Sequence, residues 1–204
     1  MATKPIAGTS IVVHPLNIGI IPLKIVGLTP LIFHQWSEKA KEMILDKQMK
    51  KAAKGREVRD PQAEYEASFY RNSKGEIAFP ALAIKQALVG AARNLEGVTM
   101  TILRGSVFVQ GDEDGLVKVD YKGEPNMRKD MVRIGMGSAD LRFRGELKNW
   151  SMSFLVKHNA DVISVEQVLN LFRVAGFACG LGEWRPERNG VSGQFDIETQ
   201  KEKK

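Results

Sequence analysis

The chain has 204 residues, 43% of them hydrophobic and 26% charged, with 30 Lys and Arg against 24 Asp and Glu for a net charge of +6. These are the proportions of a globular chain with enough apolar residues for a sizeable core, and no apolar run approaches the roughly 18 residues of a membrane span. A single cysteine, Cys179, excludes an internal disulfide and a cysteine-based zinc cluster.

Residues 1–16 contain Pro5 and Pro15, show little periodicity, and read as an arm. They also lack the basic-then-apolar order of a signal peptide, so a cytoplasmic location is expected. A single domain over 17–198 follows. Residues 18–33, IGIIPLKIVGLTPLIF, are rich in branched and large apolar side chains and broken by Pro22 and Pro30. That is the pattern of a first core strand whose pairing starts or stops near a proline. Residues 37–54 have helix-forming composition, with Ser37 placed to cap. Lys47, Lys50, Lys51, Lys54, Arg56 and Arg59 share a span that holds one acid, Glu57, so this stretch reads as a basic projection rather than a buried element. The chain returns through residues 60–80, where NSKGE is a hairpin turn between 69–70 and 77–79.

Residues 80–94 predict an amphipathic helix with proline in its first turn and Ile84, Ala87, Leu88 and Ala91 on one stripe. Strands are expected at 101–109 and 116–121, joined by QGDEDG as a hairpin-type loop. Over 122–148, Arg128, Lys129, Arg133, Arg142 and Arg144 alternate with glycine and short apolar runs, which marks a second insertion; the first covers about 37–78. WSMSFLVKH then alternates strictly, placing Trp150, Met152, Phe154 and Val156 on one strand face. A second helix over 164–178 opens with a capping box, Ser164 and Gln167, and carries a stripe of Val165, Val168, Leu169, Phe172 and Ala175. After the loop GLGEWRPERNGVSG, QFDIE supplies a last strand, and 199–204 form a frayed tail. Without the insertions the order is strand, helix, two or more strands, helix, strand. This predicts an α+β fold, ferredoxin-like or RRM-like, with two helices packed on an antiparallel sheet and a basic thumb-like insertion.

Three segments carry candidate binding groups. The basic projection supplies cations, and the arginines of 128–144 supply planar forks suited to phosphate, with glycines that let backbone approach a ligand. In 180–193, Trp184, Arg185 and Arg188 combine a stacking plane with cations, the groups that hold a single-stranded nucleic acid. His34 and Trp36, just after the first strand, are further candidates for stacking on bases. His14, His34 and His158 are too far apart for a local metal motif, and neither a phosphate loop of the Walker type nor a GxSxG elbow occurs. No catalytic residue, metal or cofactor is therefore expected.

Two stretches carry a family resemblance. FPALAIKQALVGAAR resembles the first-helix signature of the RAMP superfamily through Phe79, Pro80, Ile84, Lys85, Ala87, Leu88 and Arg93, and GLGEWRPERNGVSGQFDI is similar to its C-terminal glycine-rich loop and last strand. Ala81, Leu82 and Ala83 depart from the glycine and serines of that signature, and Val89 from its first arginine. The superfamily includes backbone subunits of CRISPR effector complexes, built on a modified RRM fold with a thumb after the first strand. The resemblance implies backbone contacts to single-stranded RNA or DNA, adds Lys85 to the contacts, and implies a homo-oligomer, filament or ring, along the strand, with no membrane partner. The place of the aspartate used by RNA-cleaving members holds FHQWSEK, which implies no cleavage by that route. The whole sequence is also similar to phage and prophage proteins of this length, which implies a bacterial host cell. A metal-independent RNA-processing endoribonuclease of the same superfamily and a phage structural or interaction protein are the alternatives.

Overall fold

The computed structural model describes residues 14–35, 38–50, 58–134 and 137–198. At the centre of the larger sheet lies β9 (Asn149–Asn159). Its alternation turns Trp150, Met152, Phe154, Val156 and His158 inward, where all are buried. Along one side runs β1 (Ile18–Gly27), antiparallel from Ile18↔Asn159 to Val26↔Ser151, and β10 (Phe195–Ile197) pairs outside β1. Pro22 lies where β1 has β9 on one side and, among the described residues, no strand on the other, so its missing N–H removes no rung from a described ladder. The chain leaves the sheet at residues 28–30, around Pro30, and β2 (Leu31–Ile32) joins a different sheet.

On the other side, β9 meets β5 (Val107–Gln110) along its C-terminal half and β6 (Leu116–Lys122) along its N-terminal half. Both run antiparallel to β9. Residues 111–115 are therefore an excursion between two segments of one strand line, not the expected hairpin loop. The start of β6 is drawn aside to pair with β4 (Ile77–Pro80), whose other neighbour is β3 (Tyr70–Arg71). The turn between β3 and β4 matches expectation: Asn72 N–H donates to the Glu76 carbonyl at 3.1 Å, and Asn72 Oδ1 accepts from Lys74 and Glu76 N–H.

The helices α3 (Ala81–Ala91) and α5 (Val165–Val174) pack on this largely antiparallel sheet, so the fold is α+β of the ferredoxin-like kind. Ile84, Ala87, Leu88 and Ala91 of α3 are buried as the pattern predicts. The Ser164 capping box is present, with Gln167 N–H donating to Ser164 Oγ at 3.3 Å and Ser164 N–H donating to Gln167 Oε1 at 2.9 Å. The buried stripe of α5 differs in part from expectation. Val168 and Phe172 are buried as predicted, as is Ala175 at the helix end, and Leu171 joins them, while Val165 is exposed and Leu169 only partly buried. Aromatic rings tie the layers, Phe154 to Phe172 at 5.8 Å and Phe33 to Phe69 at 5.1 Å between centroids.

One further local reading is corrected and others are filled in. The strand expected from residue 101 is instead α4 (Met100–Ser106), capped by Thr99 Oγ1, which accepts from Ile102 N–H at 3.2 Å, with Leu103 buried beneath it. A helix, α2 (Pro61–Ala67), opens the return segment, where Asp60 Oδ1 accepts from the N–H of Gln62 and Ala63 and Pro61 takes the first turn. The basic projection begins with α1 (Glu38–Gln48), but its expected cap, Ser37, lies outside the described residues, as do residues 51–57. Within 122–148 the chain forms a long hairpin, β7 (Asn126–Ile134) and β8 (Ser138–Leu147). The hairpin is completed by β2 into a second, three-stranded sheet that runs on into β9. Of the arm, residues 1–13 lie outside the described part, and so do residues 199–204.

Candidate nucleic-acid interface

The register of the hairpin places Arg128, Asp130, Arg142, Arg144 and Glu146 on one face, with Arg128 opposite Arg144 and Asp130 opposite Arg142. That face is held by charge rather than by apolar packing. Arg128 Nε–H donates to Asp130 Oδ1 at 2.6 Å and its Nη1–H to Glu146 Oε1 at 3.1 Å. Arg144, only 5% exposed, donates from Nη1 to Asp130 Oδ2 at 3.1 Å. Burial works to raise the carboxyl pKa of Asp130, but the hydrogen bonds from Arg128, Trp184 and Arg144 outweigh it and hold the group below the usual carboxylate range. Asp130 is thus a buried anion shared by two arginines and an indole.

The indole is brought there by the glycine loop. After a π turn (Ala175–Cys179) the loop runs along residues 30–32, with Glu183 N–H donating to the Ile32 carbonyl at 3.0 Å and Gly193 N–H to the Pro30 carbonyl at 2.8 Å. Gly182 and Gly193 have φ of +75° and +70°, and a Cβ at either would run into backbone, that of Ile32 or of Leu181. Trp184 also has a positive φ, 53°, where a bulky side chain is disfavoured. Its side chain is put to use: Nε1–H donates to Asp130 Oδ2 at 3.1 Å, locking loop to hairpin, while the residue stays 39% exposed.

Beside Trp184 is a cleft of about 170 Å³ between the start of α3 and the loop, lined among others by His34, Phe79, Gln86, Glu183 and Glu187. His34 Nδ1 lies 2.6 Å from Glu183 Oε1. That contact, opposed by burial and helped by the charges of Arg144 and Arg185, keeps the Glu183 carboxyl below the usual range and ionised at neutral pH. Glu187 is occupied on both oxygens, by Arg185 at 3.0 Å and Arg93 at 3.2 Å.

The structure brings His34, Arg128, Arg142, Arg144, Trp184 and Arg185 into this one region. Arg59 joins them from the segment before α2, donating to Asp140 at 2.7 Å, to Glu64 and to the Leu141 carbonyl, with its guanidinium 5.7 Å from the Phe143 ring. Arg142 pairs with Asp140 at 3.0 Å. Lys129, Arg133 and Arg188 are exposed and have no carboxylate partner among the described residues. Lys129 and Arg133 sit on the opposite face of the hairpin from Asp130, with Met131 between them 74% exposed. Lys85 is turned elsewhere: its ammonium donates to the Arg104 carbonyl at 2.9 Å and lies 3.6 Å from the Phe108 ring centre, beside α4 and β5. Lys47 falls on α1 and Lys50, exposed, follows it, while Trp36, Lys51, Lys54 and Arg56 lie outside the described residues.

Sequence reasoning missed the acids that organise this region. Asp130, Asp140 and Glu146 alternate with the arginines at period two, a signal for a strand face of paired charges, and Glu183 stands directly before Trp184 in the loop. Among the described residues no group of three or more His, Cys, Asp or Glu side chains is placed to hold a metal ion, and no helix is long and apolar enough to cross a membrane.

Neither a protein-family model nor a curated protein matches the chain. Solved structures do. A chain in the cryo-EM structure of the Type III-B Cmr-beta bound to cognate target RNA superposes with a TM-score of 0.52 at 12% identity over 89% of this chain. The match spans 59% of that neighbour's length. The crystal structure of Cmr6 from Pyrococcus furiosus gives a TM-score of 0.44 at 12% identity, covering 90% of this chain and 100% of the other. At this level of identity the likeness is one of fold.

Proposed function

We propose that the protein binds single-stranded nucleic acid, RNA or DNA, across the hairpin and the glycine loop, with copies arranged along the strand and no chemistry done on it. The observation that carries this reading is the Trp184 lock. A half-exposed indole is held in a strained backbone conformation at the meeting point of segments far apart in sequence, each bearing cations. Such a plane beside cations serves a base and its phosphates together. The ion pairs refine the roles. Arg144 and Arg128 hold the hairpin's shape, whereas Arg188 remains for phosphates in the Trp184 loop, Lys129 and Arg133 take phosphates on the hairpin's opposite face as the strand passes over its edge, and Lys50 extends the reach along the basic projection. The structure that contains the similar chain is described as a Type III-B Cmr-beta bound to cognate target RNA, which agrees with this reading.

One observation favours a second reading, a metal-independent endoribonuclease. His34 is paired with a carboxylate at 2.6 Å in an open cleft, an arrangement that orients an imidazole for proton transfer. A competition assay with length analysis separates the two. Unlabelled single-stranded RNA and single-stranded DNA are expected to displace a labelled single strand while duplex of equal length does so poorly, and strands recovered from a chelator-containing mixture are expected at full length. Displacement by duplex alone would sink the binding proposal. RNA shortened in the wild type but intact with His34→Ala would establish the second.

A further inference from the structure

The cleft beside Trp184 is unsuited to a phosphate and suited to a base. Its free acceptor is a carboxylate: Glu183 Oε1 is held by His34 at 2.6 Å, and Oε2 has no partner among the described residues. The other acid, Glu187, is neutralised on both oxygens by Arg185 and Arg93, so the anion that faces an incoming group is Glu183. Gln86 contributes an exposed amide on the helix side, also unpartnered among the described residues. Phe79 and Leu181 give apolar walls, and the volume, about 170 Å³, lies well below the roughly 300–1,000 Å³ of pockets that take drug-sized ligands. A single planar ring system fits that description.

We propose that this cleft receives one unstacked guanine of the bound strand, an inference that rests on the single-strand reading above. The donor pattern decides among the bases. The Glu183 carboxylate can accept from two adjacent donors at once, at Oε2 and at the lone pair of Oε1 that His34 leaves, and guanine alone offers two such donors on its Watson–Crick edge, at N1–H and the 2-amino group. Uracil turns two carbonyl oxygens toward the same carboxylate with one N–H between them. Adenine and cytosine each offer an amino group next to a ring nitrogen that repels it. The Gln86 amide then donates to guanine O6, and the His34 contact fixes the Glu183 carboxylate so that little rotamer freedom is lost on binding.

Binding of a labelled oligouridine is compared by fluorescence anisotropy with that of the same strand carrying one central guanosine, and with a third strand carrying inosine there. The guanosine strand is expected to bind about 5-fold to 150-fold more tightly than oligouridine, the range of a good bidentate contact, with inosine, which lacks the amino group, in between. Glu183→Gln and, on the exposed helix side, Gln86→Ala are each expected to reduce the ratio of guanosine to uridine affinity. Equal binding of all three strands overturns the guanine assignment and leaves the strand reading standing. Failure of every strand to bind overturns both. Free guanosine monophosphate that displaces the guanosine strand as well as the strand itself does would assign the cleft to a free nucleotide and overturn the strand assignment.

Discussion

Asp130→Asn is expected to lower the melting temperature by about 6–20 °C. Removing one partner of a buried ion pair costs about 3–5 kcal/mol because the other charge stays behind without compensation, and each kcal/mol is worth about 2–4 °C in a chain of this size. Here the charge left behind is Arg144, 5% exposed. Asparagine keeps a single acceptor oxygen, so either Arg128, bonded to Oδ1, or Arg144 and the Trp184 indole, bonded to Oδ2, also meet an NH2 donor in its place. Because the folded Asp130 carboxyl titrates below its ordinary value of 3.8, its contribution is fully present above that value and is lost as pH falls through the lower folded one. The gap in melting temperature between wild type and Asp130→Asn is therefore expected to be constant from neutral pH to about pH 5 and to close on further acidification. Thermal unfolding followed by circular dichroism at several pH values checks both statements. A gap that widens in acid would show that Asp130 is not the anion holding the hairpin to the loop.

Trp184→Ala is expected to weaken binding of a single strand by about 5-fold to 150-fold, the range given by roughly 1–3 kcal/mol of base stacking. The same change also removes the indole N–H from Asp130, so a second substitution is needed to separate stacking from anchoring. Trp184→Phe keeps an aromatic plane but no donor. It is expected to retain most of the affinity while lowering stability by about 1.5–3 kcal/mol, the range for a hydrogen bond to a charged group. Titrations of both variants by fluorescence anisotropy, with melting curves for each, read the two effects independently. Wild-type affinity in Trp184→Ala would remove the indole from the binding surface.

The elements that follow a single period could be read directly. β9 buries every second residue from Trp150, and α5 announces its start through Ser164 and Gln167. α4 could not be read that way, since Thr101, Ile102, Val107 and Val109 favour strands and only Thr99, a cap with a partner three residues on, marks the helix. The hairpin was hidden for a different reason. Its inward face buries Asp130, Arg144 and Glu146 under a partly exposed Arg128, and a hydrophobicity pattern is blind to a face that is satisfied by charge. At the site, the glycines, Trp184 and Arg185 stood out because glycine spacing and aromatic–cation proximity are local signals. Their partners are not local: Asp130 is 54 residues from Trp184, and Glu183 is 149 from His34. Which cations are spoken for by acids is decided by those long-range contacts, so a count of basic residues overstates the phosphates a protomer can neutralise.

The central claim is that cations from separate segments meet a nucleic-acid backbone together, and its most direct test is the salt dependence of binding. If about four to six phosphates are neutralised per protomer, the slope of log affinity against log salt concentration for a single strand is roughly −3 to −4. A slope near zero would contradict it.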